Sequence, residues 1–208
     1  PRRPLGGDGR ADQGAGYFVA PNPPFGAVFT YHLAADLKTR AERRQEREAE
    51  RIEAGDDTPR IPWEDIEAER REPEPAVLLT VRDADGQVVR RLEGPTTAGM
   101  HRVAWDLRFP APQAIPPGPE EREEWQDEPR GFMAGPGRYT VSLATRVDGR
   151  VTELAEPVEF DVRPLRGGAL DGASPEETAA FWRRLDEAQR GVTAAQQALK
   201  GLFERTAA

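Results

Sequence analysis

The sequence of 208 residues has no cysteine, only two histidines and no long apolar run. Without cysteine, disulfides and thiolate metal ligands are excluded. The apolar runs fall far short of the about 20 residues that a membrane-spanning helix needs. G-x-S-x-G, H-E-x-x-H and glycine-rich phosphate-loop motifs are also missing. The sequence therefore predicts no membrane span, no catalytic residue, no metal ligand and no cofactor.

Basic residues are outnumbered by acidic ones, because the sequence has 29 Lys and Arg residues and 37 Asp and Glu residues. The net charge is −8. An acidic chain is repelled by nucleic-acid phosphates and by anionic membranes, so we expect no nucleic-acid partner. Twenty prolines and twenty glycines mark many turns, and 37% of the residues are hydrophobic. These values predict a modest core with long solvated segments.

Seven segments alternate apolar and polar residues, which is typical of antiparallel strands with one face in a core. Trp105, in the segment with the clearest alternation, is the best candidate for the centre of that core. Seven such strands predict a mainly β fold, an antiparallel sandwich like that of immunoglobulin and fibronectin type III domains. The predicted strands are 26–33, 76–82, 87–92, 101–109, 138–144, 151–154 and 157–162.

Two insertions interrupt the strands. The first is highly charged and rich in helix formers, with a second short helix expected from Trp63 to Arg71 and anchored by Trp63 and Ile66. The second is rich in Pro and Glu. Trp63 and Trp125 lie outside the core pattern, so we expect them to contact a ligand or another domain. The predicted organisation is a linker or strap at 1–25, a sandwich at 26–165 with insertions at 36–72 and 110–135, and an amphipathic helix at 174–205.

The C-terminal helix begins with a capping box, Ser174-Pro175-Glu176-Glu177. Its apolar residues then follow at spacings of 4 and 3, which is a heptad seam. A seam this regular predicts a partner helix, which either lies further along the polypeptide or belongs to another subunit; the sandwich itself is the third possibility. The seam consists of Phe181, Leu185, Ala188, Val192, Ala195, Leu199 and Leu202.

Three patterns suggest chemistry but have simpler interpretations. Asp83-x-Asp85-Gly86 partly resembles a calcium loop, yet it precedes a strand and predicts a hairpin turn. His32 and His101 each lie in a strand pattern without a nearby ligand partner, which predicts structural roles. The many carboxylates of 42–74 and 120–128 lie in charged segments with nothing apolar to raise a pKa, so we expect them to be solvated.

Parts of the strand block resemble the immunoglobulin-like domain of the bacterial flagellar hook-capping protein. The matching pieces are Asp83 to Gly86, Val89 to Leu92, Gly99 to Asp106 and Gly137 to Val141.

A wider resemblance joins Asn22 to Tyr31, the charged helix, Trp105 to Arg108 and the terminal helix. Together they resemble the C-terminal region of exported bacterial BNR-repeat, sortilin-like propeller proteins, often labelled glycosyl hydrolases. This resemblance implies a secreted or periplasmic protein with a β-propeller upstream. Because the sequence begins at Pro1 without methionine and ends inside a helical pattern, we expect it to be an excised or processed piece of something longer. The propeller motif S-x-D-x-G-x-T-W does not occur here, so no glycosidase residue is carried over.

The leading hypothesis is therefore a non-catalytic accessory module that packs on a propeller or presents a ligand to it. The resemblance implies a parent protein that is labelled a glycosyl hydrolase. The first alternative is a carbohydrate-binding module in which Trp63 and Trp125 stack on sugar rings. The second alternative is an oligomerisation module that works through the heptad seam.

Overall fold

The computed structural model describes residues 23–112, 130–164 and 172–206. The predicted strap at 1–25 falls almost entirely outside these ranges, as do Trp125 and most of the second insertion. The elements, in chain order, are β1 (Ala27–Leu33), α1 (Arg40–Glu53), α2 (Trp63–Arg71), β2 (Ala76–Arg82), β3 (Val88–Gly94), β4 (Gly99–Trp105), β5 (Gly137–Val147), β6 (Arg150–Glu153), β7 (Val158–Val162) and α3 (Pro175–Thr206).

The strands form two antiparallel sheets. One contains β1 and β4, whose register sets Ala27 opposite Trp105. The other runs β3-β2-β5, and β5 also pairs with β6 and β7. Along one edge of β5, residues 140–146 pair with β2. Along the opposite edge, residues 144–147 pair with β6 and residues 137–141 pair with β7. The fold is therefore mainly β with a C-terminal helix, as predicted.

Trp105 is the centre of the larger part of the core. Its side chain is fully buried, and its indole Nε1 donates a hydrogen bond of 2.9 Å to the carbonyl of Arg108. Its ring meets Tyr139 edge-on at 5.5 Å and Phe160 at 6.2 Å between centroids. A strand of the small sheet is thereby packed against two strands of the large sheet, which is what a sandwich requires.

Tyr31 closes the other part of the core, where it packs with Leu33, Val77 and Leu79. Its hydroxyl donates a 2.7 Å hydrogen bond to the carbonyl of Pro95, and burial raises the pKa of its phenol. Gly94 lies directly beneath the ring, because a Cβ there would stand 2.3 Å from the hydroxyl oxygen. Any side chain at this position would displace Tyr31 from the core.

The predicted strand at 101–109 is too long, because β4 ends at Trp105. The chain turns at Leu107, whose φ is 59°, and the Asp106 carboxylate accepts the backbone N–H of Arg108 at 3.1 Å. This turn places the Arg108 carbonyl under the Trp105 indole. Leu107 and Phe109 still pack against the core, but from a loop. Phe109 then stacks on Phe132 of the second insertion at 4.3 Å.

Between β1 and β2 lie the two charged helices, and neither has a buried residue. A full capping box of Thr39 and Glu42 starts α1, which offsets its weak apolar face. The second helix occupies Trp63–Arg71, the range expected from sequence. Its predicted anchor Trp63 is wrong, because that side chain is 66% exposed. Trp63 is the first residue of α2, and of the two expected anchors only Ile66 is half-buried.

Candidate functional site

The heptad seam of α3 is exposed in the folded chain. Phe181, Val192 and Leu199 are 54%, 59% and 53% exposed, although the sandwich core is complete without them. The capping box that starts the helix is formed as predicted, with Glu177 N–H donating to Ser174 Oγ at 3.1 Å and Ser174 N–H donating to Glu177 Oε2 at 2.8 Å. A well-capped helix of 32 residues therefore presents an apolar row to the surface.

The first turns of α3 approach the sandwich at the segment that leads into β5. A Cβ on Gly135 would come within 2.9 Å of the Ala179 Cβ, so the glycine permits close packing there. Beside this contact lies a cavity of about 710 Å³ between α3 and residues 130–136. Its wall includes the aromatic rings of Phe132 and Trp182 and the side chains of Leu185 and Asp186. The seam and the cavity thus share Leu185 and form one continuous surface.

Asp186 is the most deeply buried carboxylate among the described residues, with its side chain 7% exposed. Arg190, one turn later on α3, donates to its Oδ2, which gives the buried charge a partner. Arg108 and Arg130 also line the cavity. Neither Asp186 nor Trp182 was expected from sequence. The 3-and-4 spacing of Trp182, Leu185 and Gln189 marks this second helix face, but the stronger heptad seam obscures it.

The two tryptophans predicted as contact residues have different outcomes. Trp63 lies at the start of α2, exposed beside a shallow surface cavity lined by Arg60, Ile61, Pro62 and Ile66. Trp125 is outside the described residues. The structure therefore does not bring Trp63 to the α3 surface.

The patterns that suggested chemistry have structural partners. Asp83 Oδ1 accepts the backbone N–H groups of Asp85 and Gln87 at 3.1 and 2.9 Å, which makes the segment a hairpin turn. His101 packs beside Tyr31 with 5.3 Å between ring centroids, and its Nε2 lies 2.6 Å from the Thr97 carbonyl oxygen. Within 23–112, 130–164 and 172–206, no group of three or more histidine and carboxylate side chains could hold a metal ion.

Those same ranges contain no helix with both the length and the apolar character needed to cross a bilayer.

Comparisons with protein-family models, with curated proteins and with solved structures found no match to this chain.

The outer face of the small sheet also exposes two apolar side chains, which the polar pair Thr30 and Arg102 separates. Val28 and Met100 are both exposed, Met100 to 69%, and their cross-strand partners are Ala104 and His32. This face is on the opposite side of β1 and β4 from the core. The chain thus has apolar surface both on its small sheet and along α3.

The charged insertion is held together by ion pairs. Arg44 of α1 donates two hydrogen bonds, of 2.7 and 3.0 Å, to the carboxylate of Glu69 in α2, and it also donates to the carboxylate of Glu48. The pKa of Glu69 is lowered, chiefly by the hydrogen bonds from Arg44. At its N-terminus α1 is tied to the β5–β6 turn, where Arg40 pairs with Asp148. These contacts replace the apolar face that the two helices lack.

The Arg44–Glu69 pair predicts a pH-dependent stability. Because the folded-state pKa of Glu69 is lowered, the pair stabilises the fold above the ordinary carboxyl pKa of about 4.3, and this contribution is lost as the pH falls through the lower folded-state value. In urea unfolding, we expect Glu69→Gln to be less stable than wild type at pH 7 and nearly equal to it in strong acid.

Glu67→Gln is the control for this experiment, because Glu67 pairs with Arg71 at a more exposed position of the same helix. Its stability difference from wild type should be smaller at pH 7. A Glu69→Gln difference that did not change with pH would contradict the interpretation.

Proposed function

We propose that this chain is a non-catalytic accessory module of a larger protein and that α3 is its main docking element. The exposed seam of α3 carries this proposal, because Val192 and Leu199 remain open to solvent in a chain whose core is already closed. Apolar rows of this length are costly to expose and usually mark an interaction surface.

The seam alternates large and small residues, which limits how a partner helix can pack. Leu185, Val192 and Leu199 occupy the a positions, whereas Ala188 and Ala195 occupy the central d positions. An antiparallel partner sets its a residues against these d residues, so that large side chains of the partner fill the space beside the alanines. Packing of this kind leaves fewer voids than alanine against alanine.

The proposed partner helix belongs to the same polypeptide as the chain. The propeller is a separate contact, because the resemblance to the C-terminal region of sortilin-like propeller proteins implies an upstream β-propeller on which the sandwich packs. We assign the sandwich to the immunoglobulin and fibronectin type III class, supported by its two facing antiparallel sheets with Trp105 between them. The exposed face of Val28 and Met100 offers a further surface for packing on the propeller. A secreted or periplasmic location follows from the same resemblance.

An assay with aryl-glycosides and sialosides tests the non-catalytic part of the proposal. The chain is expected to release no aglycone above the rate of a heat-denatured sample. Asp186 is the carboxylate to replace in this assay, because its side chain is buried and lines a cavity. Turnover by the wild-type chain that Asp186→Asn abolished would overturn the proposal.

A carbohydrate-binding module is the second candidate, favoured by the exposed indole of Trp63. An aromatic ring left open to solvent can stack on the apolar face of a sugar. Titration of tryptophan fluorescence with a glycan panel separates the two candidates. A saturable change that Trp63→Ala removed would favour sugar binding, whereas no response to any glycan is expected for an accessory module.

A further inference from the structure

Four arginines lie along one face of α1, at positions 40, 43, 44 and 47. At 3.6 residues per turn they fall within an arc of about 100°. All four line a cavity of about 280 Å³ between α1 and α2, which Asp65 and Glu69 close from the other side. The lining therefore carries four positive and two negative side chains in an otherwise acidic chain.

Two of the four guanidinium groups are already neutralised. Arg44 is bonded to both Glu69 and Glu48, and Arg40 is paired with Asp148. These two arginines hold the insertion in place and are not free to bind a ligand.

The other two guanidinium groups act on Glu69 and Asp148 only through their charge, and neither has a hydrogen bond or a close ion pair to a carboxylate among the described residues. Arg43 donates through Nε to the carbonyl of Thr39 at 3.3 Å, which leaves its terminal nitrogens available. Arg47 has neither a hydrogen bond nor an ion pair within the part of the chain that the structure describes. Both side chains are exposed, and they stand four residues apart, where like charges on a helix destabilise each other. An anion between them would remove this repulsion.

We infer that Arg43 and Arg47 form a binding site for a tetrahedral oxyanion, a phosphate or sulfate group. Guanidinium groups present paired N–H donors that match the oxygens of such an anion. The cavity between the helices is large enough for one group of this size. Asp65 lines the same cavity and opposes a negative ligand, so the site favours a single anionic group over a polyanion.

Titration with inorganic phosphate and with sulfate tests the inference, with chloride at the same ionic strength as the reference. The readouts are calorimetric affinity and the amide chemical shifts of residues 40–47. We expect saturable binding that Arg43→Gln and Arg47→Gln each weaken about tenfold, as the loss of a charge-assisted hydrogen bond predicts. Asp65→Asn should bind about threefold more tightly, because a repulsive charge is removed.

Arg70→Gln is the matched control, since it removes one positive charge from an exposed position of α2 and should leave the affinity unchanged. Circular dichroism establishes that the variants keep their helices. Methyl phosphate distinguishes a free inorganic anion from a phosphate group attached to a larger molecule. If methyl phosphate binds more tightly than inorganic phosphate, the ligand is a phosphate ester. If it binds more weakly, the ligand is the free ion. The inference is overturned if phosphate and sulfate act like chloride, or if Arg47→Gln and Arg70→Gln bind alike.

Discussion

Replacing Trp105 with alanine is expected to lower the free energy of unfolding by about 3–5 kcal/mol. The indole is fully buried, touches the rings of Tyr139 and Phe160, and satisfies the carbonyl of Arg108. Its removal leaves a cavity between the sheets and an unpaired carbonyl at the turn after β4. Urea unfolding followed by far-ultraviolet circular dichroism measures the loss.

Trp63→Ala provides the matched control, because it removes the same side chain from a site that is 66% exposed. We expect it to change the free energy of unfolding by no more than about 0.5 kcal/mol. Equal losses in the two variants would mean that Trp105 does not join the sheets, and the described sandwich would be incorrect.

The second large effect is expected on the seam of α3. The double change Val192→Glu and Leu199→Glu should leave the free energy of unfolding of the isolated chain within about 0.5 kcal/mol of wild type, because both side chains are already exposed. Under the proposed docking of α3 on a partner helix, the same change in the full-length polypeptide would bury two charges against an apolar helix, which is strongly unfavourable. We therefore expect release of α3 from its partner, seen as new protease cleavage in α3.

Ala194→Glu with Gln197→Glu is the control, since these positions add the same charge outside the a and d rows. This pair should leave α3 protected. Sedimentation of the isolated chain separates two kinds of partner: a monomer supports a helix in the same polypeptide, whereas a dimer that only the seam variant dissociates would replace that proposal with self-association.

The sequence predicted the elements whose pattern is local. Alternation identified the seven strands that the structure describes, and the capping box with its heptad spacing identified α3. The end of β4 was missed because the turn depends on Leu107 adopting a positive φ, which leucine rarely does and no pattern signals. The pairing of β5 with three strands could not be predicted from the sequence either, because strand pairing and register arise from contacts between residues far apart in the chain.

The candidate surface was predictable only in part. The periodicity of the sequence predicts the seam of α3. It does not predict whether the sandwich covers this seam or leaves it exposed. Trp63 was expected to anchor α2, because a large aromatic side chain in a polar segment usually packs; instead, ion pairs such as Arg44–Glu69 hold the helices. Asp186 was unremarkable as one acid among 37, and its burial is visible only in three dimensions.

Amide hydrogen exchange of α3 is the most direct test of the proposal that this helix docks on a partner. Residues 188–199 should exchange quickly in the isolated chain, where the helix is solvated along most of its length. In the full-length polypeptide the same amides should be strongly protected, and Val192→Glu with Leu199→Glu should remove that protection. Equal exchange in the two contexts would contradict the account.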